Sequence, residues 1–574
     1  MPQSISTTSE NRTDLDSHYN EHRKSSSDNF IETMEDIHGD SRDMTDNVRS
    51  LHAEDVLDKE TNEDRLNTDE KLDLEKQRTN LSLLYVDPEQ RPPVFKTRFQ
   101  EYICVFVCIF APAAASMASS AYQTLLKATS EYFHIQGGQL TWCVSSVMLA
   151  NGACLLLMGG IADAFGRKNA IIIGFTMYAV FSLIAGFMHN FILLCLFRGL
   201  QGAAVACATP AAAGFLGATY KDSKRKNMVM SCFGIGAPVG GAAGFFVAGV
   251  CEVALDWRAV QFFLTIVFGI LTMMVIIFIP SDKKINWAHS KAVFRSLDYF
   301  GAFLSLSSFV LICFSLTNVD ATEKRWRTPY IIALLIVGVF LIGVFVLYEL
   351  YIPKNPLMPM QLFKNKDFCL CMAITSCGWM IFFGMLNYNA MLYFENIRNF
   401  PVMIVACCFL PLSIAGIMIN IFAGLTMHII PGQILMSIGC LGFTGAAIVW
   451  ATISINRNYF LGPFWGFILS VVGADLIYNV SNRVTLSSLE RKLQSRGAGT
   501  FNTIIQLSSA VALGLNSTII MSKYEKYGSP DQNSDLPAFL HAMRYSYYFA
   551  IALGGTAFCL SLFLRVGVIG KKKD

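Results

Sequence analysis

The feature that most constrains this chain is a run of about 20 mostly apolar residues that recurs fourteen times from Tyr102 onward. A helix of this length crosses the hydrocarbon core of a bilayer. Because lipid offers no hydrogen-bond partners, each run must satisfy its own backbone as a helix, and the alternating polarity of membrane β-strands is absent. We predict an all-α membrane protein with helices over 102–126, 140–162, 169–188, 191–216, 228–250, 259–280, 297–318, 329–350, 368–392, 402–424, 430–453, 460–482, 499–521 and 544–566.

Composition separates this body from an acidic tail. Only 15% of the 574 residues are charged, against about 25% in soluble domains, which argues against a cytosolic enzyme, a nucleic-acid binder or a disordered scaffold. Residues 1–97 carry 23 Asp/Glu and 12 Lys/Arg, whereas residues 98–574 carry 19 and 33. Because residues 1–97 also lack an apolar run that could build a core, we predict a disordered acidic tail.

The distribution of basic residues predicts the orientation. With both termini in the cytosol, 22 of the 34 Lys and Arg residues from Lys96 onward fall on the cytosolic side and 10 on the outer side. This is the bias expected of cytosolic loops. The start of the chain is hydrophilic, so we expect no cleavable signal peptide. None of the cysteines forms a spacing typical of a metal site.

The segment GGIADAFGRKN, from Gly159 to Asn169, joins the second and third helices. Its glycines, Gly159 and Gly166, permit a tight turn at the membrane surface. Asp163 can accept hydrogen bonds from a helix N-terminus, and Arg167 and Lys168 can bind headgroups or acidic side chains. A positive-inside turn explains the two basic residues but not the full order of the segment.

Arg198 lies within the apolar segment LFRGLQGAAVA of the fourth helix. A charge there is costly, so we expect it to face the protein interior and to have a role in function. The alternative is that it reaches the outer surface, since it lies near that end of the helix. Gly202 and its small neighbours favour close helix packing.

The fifth helix contains GIGAPVGGAAGFFVAG, from Gly234 to Gly249. Pro238 removes one backbone hydrogen bond and permits a kink, and Gly241 belongs to a smooth face of small residues. Taken alone, this pattern indicates a bent and closely packed helix.

Together, these three segments resemble the signature motifs of the major facilitator superfamily, in the order and spacing of that family. Fourteen spans resemble its drug:proton antiporter branch, and YELYIPKNPLMP, at 348–359, is similar to the fungal aminotriazole-resistance-like members. The resemblance implies two six-helix halves, 98–280 and 368–566, two extra helices within 281–367, and a short basic cytosolic tail, 567–574. It also implies a role for Arg198 in proton coupling.

The sequence departs from that branch at several positions. Ala237 and Ala242 replace glycines of the fifth-helix motif, and the first helix lacks the Asp that the branch often carries. The loop of the second half that corresponds to the Asp163 loop has neither the Asp nor the basic pair. These departures weaken the inference of antiport and shift the expected proton role to another residue.

Asp475 is the clearest acidic residue deep within an apolar run. Burial would favour its protonated form, so it is a candidate proton carrier, although a structural hydrogen bond is as plausible. Candidate substrate-binding residues are polar or aromatic side chains within the helices, near the expected midplane site: Gln123, Gln201, Trp379, Asn387, Asn389, Tyr478 and Asn479.

The leading functional hypothesis is export of small toxic molecules by alternating access, driven by a proton gradient. A facilitator or importer of a small polar solute such as ammonium, or a transporter-like nutrient sensor, is the alternative. We expect no enzyme activity, no cofactor or metal, no nucleic-acid partner and a monomer. The plasma membrane is favoured over the vacuolar membrane, on the resemblance alone.

Overall fold

The computed structural model describes residues 91–567 except 136, 221–223, 282–293, 296, 320–321, 323–324, 354–356, 359, 428, 488–493 and 528–535. In this part of the chain, fourteen helices are long and apolar enough to cross a membrane, as predicted. The helices are α1 Arg98–Thr124, α2 Trp142–Phe165, α3 Arg167–Gly186, α4 Phe191–Thr219, α5 Lys224–Ala254, α6 Ala259–Phe278, α7 Tyr299–Asn318, α8 Pro329–Tyr351, α9 Lys366–Ile397, α10 Val402–Thr426, α11 Gly432–Ala451, α12 Pro463–Ser487, α13 Gln494–Tyr527 and α14 Leu536–Leu562.

Two groups of six helices share one pattern of neighbours. In α1–α6, α1 packs against α5, α4 against α2 and α3, and α3 against α6. In α9–α14, α9 packs against α13, α12 against α10 and α11, and α11 against α14. The second group therefore repeats the packing of the first, and we call the two groups the N half and the C half.

The halves meet along two seams. On one side α2 packs against α13, where Thr503 Oγ1 donates a hydrogen bond to the Gly152 carbonyl oxygen at 2.9 Å. On the other side α5 packs against α10, with Phe245 and Phe409 ring centroids 4.4 Å apart. These seams are the two surfaces at which helices of the N half contact helices of the C half.

The extra helices α7 and α8 pack against each other, and α7 also packs against both α2 and α13. The Trp142 indole N–H of α2 donates to Thr317 Oγ1 of α7 at 2.8 Å. Thr518 Oγ1 of α13 donates to the Leu316 carbonyl oxygen of α7 at 2.6 Å. The α7 helix therefore binds both halves beside the α2–α13 seam.

Two of the helices that extend beyond their predicted apolar runs include a buried acidic residue in the extension. The α1 helix begins at Arg98 rather than at 102, and its Glu101 forms a salt bridge with Arg225 of α5 at 2.6 Å. Glu101 also raises the pKa of Arg225 through their hydrogen bond. The α9 helix continues to Ile397 rather than ending at 392, through π-helical segments at Met380–Asn387 and Tyr393–Ile397. This extension brings Glu395 into the helix.

The predicted tail and the basic C-terminus fall almost entirely outside the described residues. Of 1–97, only 91–97 are described, and Phe95 is buried against the rings of Phe215 and Tyr220. The body therefore includes at least one residue that the sequence assigned to the tail. Of 567–574, only Gly567 is described.

Candidate transport site

The loop motif between α2 and α3 is a one-residue connection. The α2 helix ends at Phe165 and α3 begins at Arg167, and Gly166 between them has φ 92°. Residues with a Cβ adopt this backbone conformation only with strain, which explains the glycine. Gly159 lies earlier in α2, where an added Cβ would meet nothing closer than 3.9 Å. The Asp163 side chain lies outside the described residues.

The two basic residues of this motif contact other helices. The Lys168 ammonium donates to the Ile276 carbonyl oxygen of α6 at 2.9 Å, at a helix C-terminus that favours a cation. Arg167 packs against Gly214 of α4, where an added Cβ would lie 3.0 Å from the guanidinium Nε. The motif therefore joins α3 to α4 and α6 within the N half.

Arg198 is completely buried in the core of the N half. Its guanidinium donates to the Cys143 carbonyl oxygen of α2 and, at 3.1 Å, to the Ala118 carbonyl oxygen of α1. The Tyr122 ring lies under it, 3.5 Å from Cζ to the ring centroid, a cation–π contact. Arg198 therefore does not reach the outer surface, and backbone carbonyls and an aromatic face take the place of an acidic partner.

A chain of side-chain hydrogen bonds extends from this arginine. Gln261 of α6 donates to the Tyr122 hydroxyl at 2.8 Å and accepts from Gln201 of α4 at 2.8 Å. Gln201 also donates to Ser182 of α3 at 3.0 Å. Together with Arg198, Gln201 thus contributes to a buried network that joins α1, α2, α3, α4 and α6, rather than to the wall of a cavity.

The glycines of the α5 motif allow close packing against α1. A Cβ at Gly244 would lie 2.6 Å from the Met117 carbonyl oxygen, and one at Gly240 would lie 2.6 Å from the Ala113 Cα. Gly241 lies on another face, where a Cβ would meet Ser120 Oγ at 3.6 Å. On α4, a Cβ at Gly202 would lie 3.0 Å from the Val147 Cα of α2. The small residues therefore set helix spacing, as the sequence predicts.

Asp475 of α12 lies where α5 and α10 meet. A Cβ added at Gly416 of α10 would be 3.4 Å from Asp475 Oδ2 and 3.5 Å from the Pro238 Cβ of α5. Oδ2 is buried and, within the described part of the chain, has no hydrogen-bond partner. The backbone carbonyl oxygen of Asp475 accepts from Asn479, whose amide also donates to Asn420 of α10 at 2.8 Å.

The close contacts of the α5–α10 seam lie toward the end of α5. Gly249 contacts Met403 and Phe245 contacts Phe409, and both α5 residues follow Pro238 along the helix. On the other side of Pro238, a Cβ at Gly234 or at Gly424 would meet nothing within 4 Å. Asp475, beside Pro238 and Gly416, therefore lies at the edge of these close contacts.

The aromatic candidates Trp379 and Tyr478 are in contact, with ring centroids 5.8 Å apart, and Tyr478 also packs against Phe501 at 5.2 Å. They connect α9, α12 and α13 on the inner side of the C half. Because Tyr478 lies one helical turn from Asp475, this cluster adjoins the carboxylate.

A small cavity of about 20 Å³, enough for one water molecule, lies between the halves. It is bounded by α1, α2, α9 and α13, including Ser116, Asn151 and Gln506. Gln123 and Asn387 are both buried, and Gln123 Nε2 and Asn387 Oδ1 lack a hydrogen-bond partner among the described residues. Their unsatisfied groups make them available to a solute or to water.

Asn389 has a different environment from the other candidates. Its amide donates to Ser546 of α14 at 3.0 Å, its oxygen accepts from Asn516 of α13 at 2.7 Å, and Ser546 donates to Asn516. All three side chains are fully buried. This closed triad accounts for Asn389 as a structural residue of the C half.

The structure therefore separates the two predicted proton-coupling residues. Arg198 lies in the N-half core and Asp475 at the seam, and no described hydrogen bond or ion pair joins them. Sequence reasoning missed Glu395, which is 2% exposed, because the apolar run was ended at residue 392. Its spacing of eight residues from Asn387 on a continuous helix was the available signal.

Comparison with known proteins decides the family. The model described as the Major Facilitator Superfamily matches residues 106–513, which cover most of the chain. The chain belongs to the Major Facilitator Superfamily. Its fourteen helices and paired six-helix halves agree with the fold predicted from the motifs.

Several fungal superfamily proteins are similar to this chain. It is 25% identical to the aminotriazole resistance protein of Saccharomyces cerevisiae over 82% of this chain and 85% of that protein. It is 28% identical to the low affinity ammonium transporter of the same yeast, over 73% and 79%. It is 24% identical to efflux pump terJ of Aspergillus terreus, over 75% and 80%. The chain is thus a multi-pass membrane transporter of this superfamily for small molecules.

Proposed function

We propose that this transporter exports small toxic or xenobiotic molecules across the membrane in exchange for protons, by alternating access. The observation that carries the proposal is the position of Asp475. It is an acid with a buried, unpaired carboxylate oxygen, and it touches the seam along which the halves would separate. A charge that appears or disappears there changes the cost of burying that seam.

The proposed cycle uses the contact among Asp475, Gly416 and Pro238. Protonation from the outer side would neutralise Asp475 and allow α5 and α10 to close around it. Release of the proton to the cytosol would restore the charge and favour hydration of the open seam. Gln123 and Asn387 would bind the solute because each has a buried polar atom without a partner among the described residues. Trp379 and Tyr478 would bind it because their ring pair adjoins the carboxylate.

Arg198 has a positioning role in this proposal. Its network connects α1, α2, α4 and α6, so the N half would move as a rigid unit. It would act on Asp475 only through the movement of α5 relative to α10.

The test uses the full-length chain in proteoliposomes with labelled aminotriazole and a panel of fluorescent xenobiotics. Vesicles with an acidic lumen should accumulate an exported solute, because exchange with outgoing protons drives it inward whichever way the protein is inserted. Asp475→Asn should reduce this accumulation at least about tenfold, because it removes the titratable group while keeping its size.

Asp256→Asn is the matched control. It removes the same charge from a half-exposed side chain at the end of α5, away from the seam, and should leave accumulation unchanged. Wild-type accumulation in Asp475→Asn would refute the role of this residue. Solute exchange without a pH gradient should survive in Asp475→Asn, which distinguishes lost coupling from lost folding.

A second function, import of a small polar solute such as ammonium, is favoured by the similarity to the low affinity ammonium transporter. The absence of an Asp from α1 agrees with it. Labelled methylammonium would then accumulate when the bath, rather than the lumen, is acidic. The direction of the effective gradient separates the two functions in one assay.

The orientation, the membrane and the oligomeric state that we propose are those expected from the sequence. Both termini face the cytosol, so the end of the bundle where α1 ends faces outward. The transporter is a plasma-membrane monomer that uses the proton gradient and no cofactor. Accessibility of a single engineered cysteine near Ser130 to an impermeant thiol reagent in intact cells tests this orientation.

A further inference from the structure

A cavity of about 460 Å³ lies at the end of the bundle where α1 ends, apart from the Asp475 seam. Its walls come from the short helix Leu126–Phe133, from α9 and α13, and from Phe539 of α14. It therefore lies between the halves: Leu126–Phe133, His134 and Leu140 belong to the N half, and the other lining residues belong to the C half.

One wall of this cavity carries a buried acidic side chain. Glu395 lines the cavity, is only 2% exposed, and its Oε1 has no hydrogen-bond partner within the described part of the chain. It lies on the π-helical segment Tyr393–Ile397, a distortion often found at functional sites. The Lys127 backbone N–H and the Lys127 charge act on this carboxylate, but Oε1 stays without a partner in the described structure. Burying a carboxylate that is only partly satisfied is costly, so this position favours a proton or a cation.

The charges around Glu395 leave a net negative site. Lys127, Glu131 and His134 line the same cavity, but the Lys127 ammonium donates to Asn399 Oδ1 at 3.2 Å. Among the described residues, no ion pair joins Lys127 to Glu395. The one lysine and the two glutamates of the lining sum to a charge of −1, and Glu252 of α5 adds negative potential from outside the lining.

Apart from Ser130, Asn396 and Ser517, the rest of the lining is apolar or aromatic. Leu126 of the N half faces Tyr388 and Leu392 of α9, Ile520 of α13 and Phe539 of α14. Such walls take up the apolar body of a ligand, while a single buried charge fixes its orientation. A volume of about 460 Å³ exceeds the needs of a bare ion, and the described residues contain no group of three potential metal ligands.

We propose that this cavity binds monovalent organic cations with an apolar body, with Glu395 as their counter-ion. The site deepens the proposed export function, on which it rests, by naming the class of molecule that is released outward. Tyr388 and Phe539 would contact the apolar body and offer their ring faces to the cationic centre.

The test measures binding rather than transport, with the full-length chain purified in detergent. The probes are tetraphenylphosphonium and tetraphenylborate, which share a shape and differ in the sign of their charge. We expect saturable binding of tetraphenylphosphonium and at least tenfold weaker binding of tetraphenylborate. Glu395→Gln should weaken tetraphenylphosphonium binding by at least about tenfold, and Glu395→Asp should largely retain it, because charge rather than packing is required.

Asp256→Asn is the matched control. Asp256 follows the C-terminal end of α5 and does not line the cavity, so the loss of its negative charge should change the affinity for tetraphenylphosphonium less than twofold. If Glu395→Gln does not fold, a hydrophobic carbodiimide on the wild type replaces it. Tetraphenylphosphonium should then protect Glu395 from modification, as detected by peptide mass spectrometry. Unchanged affinity in folded Glu395→Gln, absence of protection, or equal binding of both probes overturns the site.

The outcome is separable from that of the proposed function. Glu395-dependent binding without uptake into acid-lumen vesicles would support the cavity and refute proton-driven export. Uptake that depends on Asp475, with tetraphenylphosphonium binding indifferent to Glu395, would support export and refute the cavity.

Discussion

The two halves share a packing pattern but place their buried charges differently. The N half keeps Arg198 inside its own core, held by carbonyls of α1 and α2 and by the Tyr122 ring. The C half places Asp475 and Glu395 at surfaces that face the N half. Each of the three side chains has one buried polar atom without a partner in the described structure. Arg198 differs in that two carbonyls and a ring face hold the rest of its guanidinium.

The buried hydrogen-bond networks of the two halves also differ in charge. Where the N half has a charged network, the C half has the neutral triad of Asn389, Asn516 and Ser546. A neutral network rigidifies a core without the desolvation cost of an ion. The comparison suggests two uses of a buried charge. The charge of the N half stabilises a core, whereas the proposed role of the C-half carboxylates requires their charge to change during transport.

The largest effect on stability should come from a conservative change at Arg198. Arg198→Lys keeps the charge but loses the planar fork that reaches two carbonyls, so the free energy of unfolding should fall by about 2–3 kcal/mol. Arg198→Met removes the charge at similar volume and should cost less than about 1.5 kcal/mol. Thermal unfolding in detergent compares the two variants. A Lys variant as stable as the wild type would contradict the claim that the planar guanidinium, rather than its charge alone, stabilises the N half.

Asp475→Asn completes this comparison, because it should leave the thermal midpoint equal to or above that of the wild type. Asn keeps the size of the side chain and can still bond to Asn420, and it removes a charge whose Oδ2 has no partner in the described structure. A marked fall in the midpoint would mean that the C-half charge is structural as well.

The close packing of α1 and α5 gives the next largest effect. Gly240→Ala places a methyl group against the Ala113 backbone and should cost about 1–3 kcal/mol. Gly234→Ala, six residues earlier on the same helix and without a neighbour within 4 Å, is the control and should be neutral. Gly384→Ala tests the equivalent α9–α13 pair, where the Cβ would lie 2.8 Å from the Ala512 carbonyl carbon, and should match Gly240→Ala.

The one-residue connection after α2 should give a smaller effect. Gly166→Ala forces a residue with a Cβ into φ 92°, which costs roughly 1–2 kcal/mol. Gly159→Ala on α2 has room for its methyl group and should not destabilise. Equal midpoints for the two variants would show that the connection relaxes without strain.

The smallest effect on stability should come from the side chains that bond to the C-terminal ends of α6 and α14. Lys168 bonds to the end of α6, and Gln433 of α11 bonds to the Leu562 carbonyl oxygen at the end of α14. Lys168→Gln gives the N half the neutral residue that the C half has at this position, and should cost about 0.3–1 kcal/mol through the lost helix-end interaction. The cost should shrink in high salt, whereas a salt-independent loss would point to packing.

The number of helices could be predicted because bilayer thickness sets a minimum length for every apolar run. The ends were less predictable where a buried acid belongs to the helix. Glu101 is buried because Arg225 and Tyr220 bind it, and Glu395 is buried against a cavity wall. Neither environment can be inferred from local hydropathy, so α1 and α9 were predicted too short. The α14 helix also begins earlier than predicted, at Leu536 rather than 544, although no acidic residue lies in that extension.

The sequence could identify individual site residues, but it could not predict which side chains would contact them. Arg198 and Asp475 could be singled out because charges within apolar runs are rare. The Tyr122 and Gln261 contacts could not, since they depend on which faces of α1, α4 and α6 meet. Asn389 satisfied the same sequence criterion as Asn387, and only the positions of Asn516 and Ser546 on other helices distinguish them.

The attachment of α7 to both halves limits the geometry of any rocking motion. Separating α2 from α13 would require breaking the bonds of Trp142 and Thr518 to α7 as well as the seam itself. No comparable third helix spans α5 and α10 in the described contacts. The rotation axis should therefore run close to the braced edge, with its widest displacement at the opposite edge. Bulky lipophilic solutes held in one leaflet would meet their portal there rather than from all directions.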